Sequence, residues 1–166
     1  MEDQNNINVR TATTEDLDAL MQIAMEACID NALAPPSPER LLADIWPAVN
    51  LQGGIIGIVG PIGGRIEGVI LLRIGKMWYS DEDCLEERSI FVRPEYRAAK
   101  GGRARKLCQF AKDAADKLGL PLSIGVLSDE RTEAKMRLYE RIFGKPKGVY
   151  FVYNGMKTGD WAKAAS

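Results

Sequence analysis

The chain has 166 residues, 46% of them hydrophobic and 27% charged, which suits one globular domain whose core needs no disulfide or structural metal. Its 22 basic and 23 acidic residues nearly cancel, a balance that argues against a nucleic-acid partner or attraction to an anionic membrane. No apolar run approaches the roughly 18–20 residues that cross a bilayer.

The opening Met1-Glu2-Asp3-Gln4-Asn5-Asn6 is polar and acidic rather than signal-like, so a cytoplasmic protein is expected. Asn8-Val9-Arg10 is a short candidate strand. Thr13 or Thr14 then caps a helix over residues 14–30; its acidic first turn suits the positive helix end, and Leu17, Leu20, Met21, Ala24 and Cys28 share one face. Pro35-Pro36 breaks it. Ser37 and Pro38 cap and open a second helix, expected to stop at Pro47. Residues 55–59 and 65–74 form a β-hairpin around Gly60-Pro61-Ile62-Gly63-Gly64, and residues 84–92 follow the polar loop Ser80-Asp81-Glu82-Asp83 as the next antiparallel strand. After Pro94 and Gly101-Gly102 comes an amphipathic helix with Ala104, Leu107, Cys108, Ala111, Ala115 and Leu118 on one face and Gly119 as its stop. A strand over 122–127, a helix over 132–143 ended by Gly144 and a last strand over 148–153 complete one domain, assigned to residues 1–155. Residues 156–166 are expected to be a frayed tail, in which Trp161 alone has reason to dock. Strand–helix–strand at the end implies a parallel crossover, so the expected class is α/β (α+β) with a mixed central sheet.

The absence of histidine excludes Ser-His-Asp and Cys-His nucleophiles and the common His-based metal sites, and leaves proton transfer to carboxylates, Tyr, Lys, Cys or water. Cys28, Cys84 and Cys108 are scattered with no CxxC, which speaks for buried thiols; no metal is expected. The segment that points to chemistry is residues 90–104: a β-rich run, a Pro turn, Gly101-Gly102 and a helix that starts at once. The first amides of a helix lack internal partners and sit at the positive end of its dipole, and glycines let a phosphate approach the backbone. Arg97, Lys100 and Arg103 add cations there, so the segment reads as a pyrophosphate site. It is neither a P-loop, lacking Gly-Lys-Ser/Thr, nor a GxGxxG dinucleotide fingerprint. A turn with a solvated basic face is the plainer account of the same residues.

Val92-Arg93-Pro94-Glu95-Tyr96-Arg97-Ala98-Ala99-Lys100-Gly101-Gly102 resembles the central motif of the GNAT superfamily of N-acetyltransferases, Val-x-Pro-x-Tyr-Arg-x-x-Gly-x-Gly, with Lys100 in place of the first loop glycine. Leu138-Tyr139-Glu140-Arg141-Ile142-Phe143-Gly144 is similar to the family's later Leu-Tyr-x-x-x-Gly-Phe, with the last two residues reversed and Thr132 where an upstream Asn is usual. The element order agrees over residues 8–153. The resemblance implies the GNAT fold, a mixed sheet splayed between its fourth and fifth strands with flanking helices. It also implies an acyltransferase that moves the acetyl group of acetyl-CoA to a primary amine by direct attack. Main-chain groups of Ile90 and Val92 would then hold the pantetheine arm. Amides of Lys100, Gly101, Gly102, Arg103 and Ala104 would hold the pyrophosphate, with charge added by Arg97 and Arg103.

The amine must lose a proton, a task for a carboxylate near the middle of the splayed strand. Glu86 and Glu87 are adjacent, so they point to opposite faces. Simple alternation gives Glu86 the parity of Ile90 and Val92. It also stands six residues before Val92, where the histone-acetylating branch of the family carries its base. Glu86 is therefore favoured, Glu87 is the alternative, and a salt bridge to Arg88 is the structural account of either. Tyr139 matches the family position whose hydroxyl serves the leaving thiolate as an acid. Acidic residues 81–83 with Trp78 and Tyr79 offer a place for a cationic amine. No motif names the acceptor, which is a small molecule or a protein amine. A non-catalytic acyl-CoA-binding or protein-interaction module with the same fold is the alternative function, and retention of Glu86 and Tyr139 favours the enzyme. Trp78-Tyr79-Ser80-Asp81 together with residues 137–141 looks like acetyltransferases of phages and prophages, and an exposed last strand suits a homodimer.

Overall fold

The β-rich runs after Gly54 assemble a five-stranded sheet in a computed structural model that describes residues 7–97, 102–127 and 131–154. The polar start, residues 98–101, and the tail with Trp161 lie outside the described residues. Strands β1 (Arg10–Thr11), β2 (Gly54–Val59), β3 (Gly68–Lys76), β4 (Asp83–Val92) and β5 (Leu122–Ser123) stand side by side in chain order. The first four are antiparallel and β5 runs parallel to β4, so the sheet is mixed, as expected.

Alternate residues of β2 and β3 feed two cores, because neighbouring strand side chains leave opposite faces. On one face, α1 (Leu17–Asn31, entered by a 3-10 turn at Thr14–Asp16) and α2 (Pro38–Val49) lay Leu20, Ile23, Ala27 and Ile45 against Ile56, Ile58, Val69 and Phe91. On the other, α4 (Arg103–Leu118) lays Leu107, Ala111 and Ala115 against Ile70, Leu72, Leu85 and Val92. A short α3 (Pro94–Arg97) precedes it, and α5 (Thr132–Phe143) packs beside α4. Two ion pairs pin the frame. Asp16, fully buried, accepts from both terminal nitrogens of Arg10 at 2.8 Å and from the Thr13 and Gly63 amides at 2.9 and 3.3 Å. Arg93, also buried, ties Glu26 of α1 at 2.7 Å to the end of β4.

Three expectations need correction. The second helix runs through Pro47 to Val49 rather than stopping at it. Proline removes the amide that would serve the carbonyl of residue 43, and Arg73 reaches across from β3 to that Ala43 oxygen at 3.5 Å instead. The strand expected over 122–127 ends at Ser123, having paired only Leu122 with Leu85 and Ser123 with Glu86. The last strand over 148–153 does not form. Its residues carry no pairing, and Tyr150 is 93% exposed. Strand propensity is realised only against a partner edge, and β5 leaves the sheet too early to supply one.

Candidate active site

The departure of β5 opens a cleft between β4, α4 and α5, and a β-bulge decides which acid faces it. Ser89 pairs with Leu71 and Glu87 with Leu72, so Arg88 is an extra residue on β4. An inserted residue reverses the alternation beyond it. Glu87, not Glu86, consequently shares the face of Leu85, Ile90 and Val92, because its partner Leu72 belongs to the α4 core. Glu86 pairs with Arg73 on the α2 side, where its carboxylate packs over Gly75 and meets Arg88 at 3.5 Å. The parity that favoured Glu86 holds only for an unbroken strand.

Within the cleft Glu87 accepts a hydrogen bond from the Gly125 amide and feels the positive charge of Lys135, yet burial outweighs both and pushes its carboxyl up to about 7. Tyr139 of α5 stands close enough to sense Glu87 and hydrogen-bonds with Cys108 of α4. Burial chiefly, with the Glu87 charge adding to it, holds its phenol well above the ordinary value, so at neutral pH it is a donor. Burial chiefly raises the Cys108 thiol to about 12, which keeps it protonated and inert. Lys135 lies one turn before Tyr139 on the same helix face, and burial and the charges of Arg131 and Arg97 lower its pKa. Sequence reasoning passed over Lys135 and Arg131, while its reading of Cys108 as a buried thiol holds; for Lys135 the four-residue spacing from Tyr139 was the available signal.

Two cavities meet at this cluster and share Asn31, Ile90, Lys135 and Tyr139 as walls. The smaller, about 300 Å³, runs along Ile90, Val92, Arg97, Gly102, Arg103 and Ala104 and gathers Arg131 and Lys135 at its rim. The Arg93 amide bonds to the Glu67 carbonyl across β3 and β4. Antiparallel alternation therefore turns the main-chain groups of Ile90 and Val92 away from β3, toward the side β5 has left. The Val92 carbonyl already accepts from Arg97 Nε at 2.8 Å, and the same guanidinium pairs with Asp30 at 2.5 Å. Gly102 takes the left-handed conformation (φ +58°) that opens α4. Arg103 stacks over Tyr96 and pairs with Glu67 at 2.7 Å, while its buried Nη1 has no hydrogen-bond partner among the described residues. An orphaned, buried cationic donor beside a helix N-terminus fits a phosphate. Lys100 and Gly101 lie outside the described residues.

The larger cavity, about 580 Å³, is bounded by α1, α2, Glu87–Ile90 of β4 and residues 125–127, and Tyr150 and Val152 of the expected last strand close one side. Glu86 lines neither cavity, nor do residues 76–83. In that loop Lys76 takes the Asp81 carbonyl and, at 2.7 Å, the Asp83 carboxylate. The acidic loop is thus held through Lys76 and does not line the cleft. Among the described residues no cluster of Cys, Asp and Glu is placed to hold a metal, and no helix is long and apolar enough to cross a membrane.

Residues 17–144 match the profile of the acetyltransferase (GNAT) family. No curated protein matches the chain in sequence. Among solved structures it resembles AAC(6')-Iy in complex with the bisubstrate analogue CoA-S-monomethyl-acetylneamine (TM-score 0.67, 15% identity, covering 90% of this chain and 97% of that one). It also resembles a predicted acetyltransferase with acetyl-CoA from Clostridium acetobutylicum (0.68, 12%, 90% and 96%). A third is the aminoglycoside 6'-N-acetyltransferase AAC(6')-Ih from Acinetobacter baumannii (0.59, 15%, 90% and 99%). At such identities the likeness is one of fold.

Proposed function

The chain belongs to the acetyltransferase (GNAT) family, and on that premise we propose that it transfers the acetyl group of acetyl-CoA to a primary amine, with Glu87 as general base and Tyr139 as hydrogen-bond donor to the departing sulfur. The observation that carries this reading is the meeting of Glu87 and Tyr139 where a phosphate-suited cavity joins a second, separate one. The solved relatives named for acetyl-CoA and for aminoglycoside acetylation lend it support.

The donor end belongs to this chain's backbone and cations. The unpartnered Nη1 of Arg103 and the opening amides of α4 suit the pyrophosphate, the outward main chain of Ile90 suits the pantetheine arm, and Arg131 and Lys135 add positive potential. Arg97, committed to Val92 and Asp30, serves to hold the strand end in place. When bound, acetyl-CoA supplies a thioester carbonyl to be attacked. Glu87 takes one proton from the incoming ammonium, and its raised pKa suits that exchange near neutrality. The freed nitrogen forms the new C–N bond as the C–S bond breaks. Tyr139 donates to the leaving sulfur. Full transfer would leave a phenolate that burial and Glu87 oppose, so the second nitrogen proton goes to the sulfur and Glu87 returns its own to solvent.

We assign this activity to one domain over residues 1–155, acting in the cytoplasm; the phage-type spelling of residues 78–81 bears on origin and adds nothing to the chemistry. Release of CoA thiol from acetyl-CoA, followed across a panel of primary amines, tests the reading, and turnover with at least one amine is expected. Firm acetyl-CoA binding with no release for any amine would favour a non-catalytic module instead.

A further inference from the structure

We infer that the acceptor is a monoamine carried on an apolar body, an alkyl or aryl-alkyl amine, and not a polycation; the inference rests on the transfer reading above, in which Glu87 receives the amine. The larger cavity, about 580 Å³, has room for such a body, and its walls are chiefly apolar: Ala27, Leu41, Ile45, Leu71 and Leu127 among them. Its charged lining among the described residues is Asp44, Glu87, Arg88 and Lys135, two of each sign. Asp44 is already engaged by Arg73 at 3.3 Å and Arg88 at 3.8 Å, and Arg88 also meets Glu86. Among the described lining residues Glu87 is then the one carboxylate outside this ion-pair network, and it lies on the cleft face of β4 beside Tyr139. One carboxylate compensates one ammonium.

A second ammonium on the same substrate would enter an apolar wall or come up against Arg88 or Lys135. Against the apolar wall the charge loses water without gaining a partner, and beside Arg88 or Lys135 it meets a like charge. An apolar body instead gains from every methylene it buries. In the acidic loop that might have drawn a polycation, Asp83 is paired with Lys76, and the loop lines neither cavity. Charge count and wall chemistry therefore select the same substrate class.

Steady-state CoA release at saturating acetyl-CoA, with the full chain, tests this using n-butylamine, n-hexylamine, n-octylamine and 2-phenylethylamine against spermidine and neamine. The expected result is a kcat/KM that climbs roughly threefold or more per added methylene along the alkyl series. Spermidine and neamine should fall at least about 100-fold below the best monoamine. A flat alkyl series, or a polycation equal to or better than the monoamines, would overturn the inference and leave the transfer reading standing. No release with any amine, from a protein that still binds acetyl-CoA in calorimetry, would overturn the transfer reading and this inference with it.

Discussion

At the N-terminal corner of the sheet, Asp16 is fully buried and accepts from Arg10 twice and from two backbone amides; the Arg10 contact above all holds its carboxyl well below the ordinary carboxylate range. In the cleft, Glu87 is partly buried with one backbone donor and one offset cation, and burial pushes it up to about 7. Both acids are withdrawn from water, and the number of partners separates them. The corner supplies enough donors to keep a charge, so the charge becomes an anchor between β1 and the Gly60–Gly63 turn. The cleft supplies too few, so the proton is exchangeable near neutral pH. A perturbed acid in a cleft is the pattern of a functional group, and a satisfied one in a corner is the pattern of a structural group.

The largest expected effect tests the cleft. Glu87→Gln should lower kcat/KM by about 100- to 10,000-fold and leave the KM for acetyl-CoA little changed, as read from initial rates. Next comes the corner: Asp16→Ala removes two charge-assisted bonds from Arg10, which keeps the Gly60 and Pro61 carbonyls, and should lower unfolding free energy by about 1.5–3 kcal/mol in urea titrations. The two acids also give stability opposite pH dependence. Asp16 has a depressed pKa, so its contribution is present above about pH 4 and is lost as pH falls below that. Glu87 has a raised one, so its contribution is present below about pH 4.5 and is lost as pH rises to about 7. The Tm of Glu87→Gln relative to the native chain should therefore grow between pH 5 and pH 8. Tyr139→Phe should reduce kcat about 10- to 100-fold, the worth of a hydrogen bond to a charged atom, with acetyl-CoA affinity kept. Arg103→Ala should weaken acetyl-CoA binding about 10-fold by calorimetry while kcat holds. Glu86→Gln, which removes a half-exposed ion pair, should change turnover by less than about twofold.

Most of the frame was legible because its signals are local. Ser37-Pro38 and Gly119 mark helix ends in one or two residues, and the runs after Gly54 are apolar enough to read as strands. Features set by tertiary contact were not legible. Pro47 reads as a stop until Arg73 is seen meeting the carbonyl it leaves bare. Residues 148–153 read as a strand from side-chain type alone, and only the early end of β5 removes their partner. The bulge lies between. Leu85 and Ile90 both face the α4 core although they are five residues apart, an odd interval no straight strand allows. That interval was visible, but Glu86-Glu87-Arg88-Ser89 contains no apolar residue to show where the extra one sits. One inserted residue was enough to exchange the faces of two neighbouring glutamates.

The pH dependence of kcat/KM for the native chain, Glu87→Gln and Glu86→Gln, measured with acetyl-CoA and one primary amine, tests the assignment of the base most directly. The native chain and Glu86→Gln should both show an inflection near 7, while Glu87→Gln should lack it, following only the substrate amine's own titration, and be at least about 100-fold slower at pH 8. An inflection near 7 that survives in Glu87→Gln and disappears in Glu86→Gln would contradict the account and return the base to the other face of the strand.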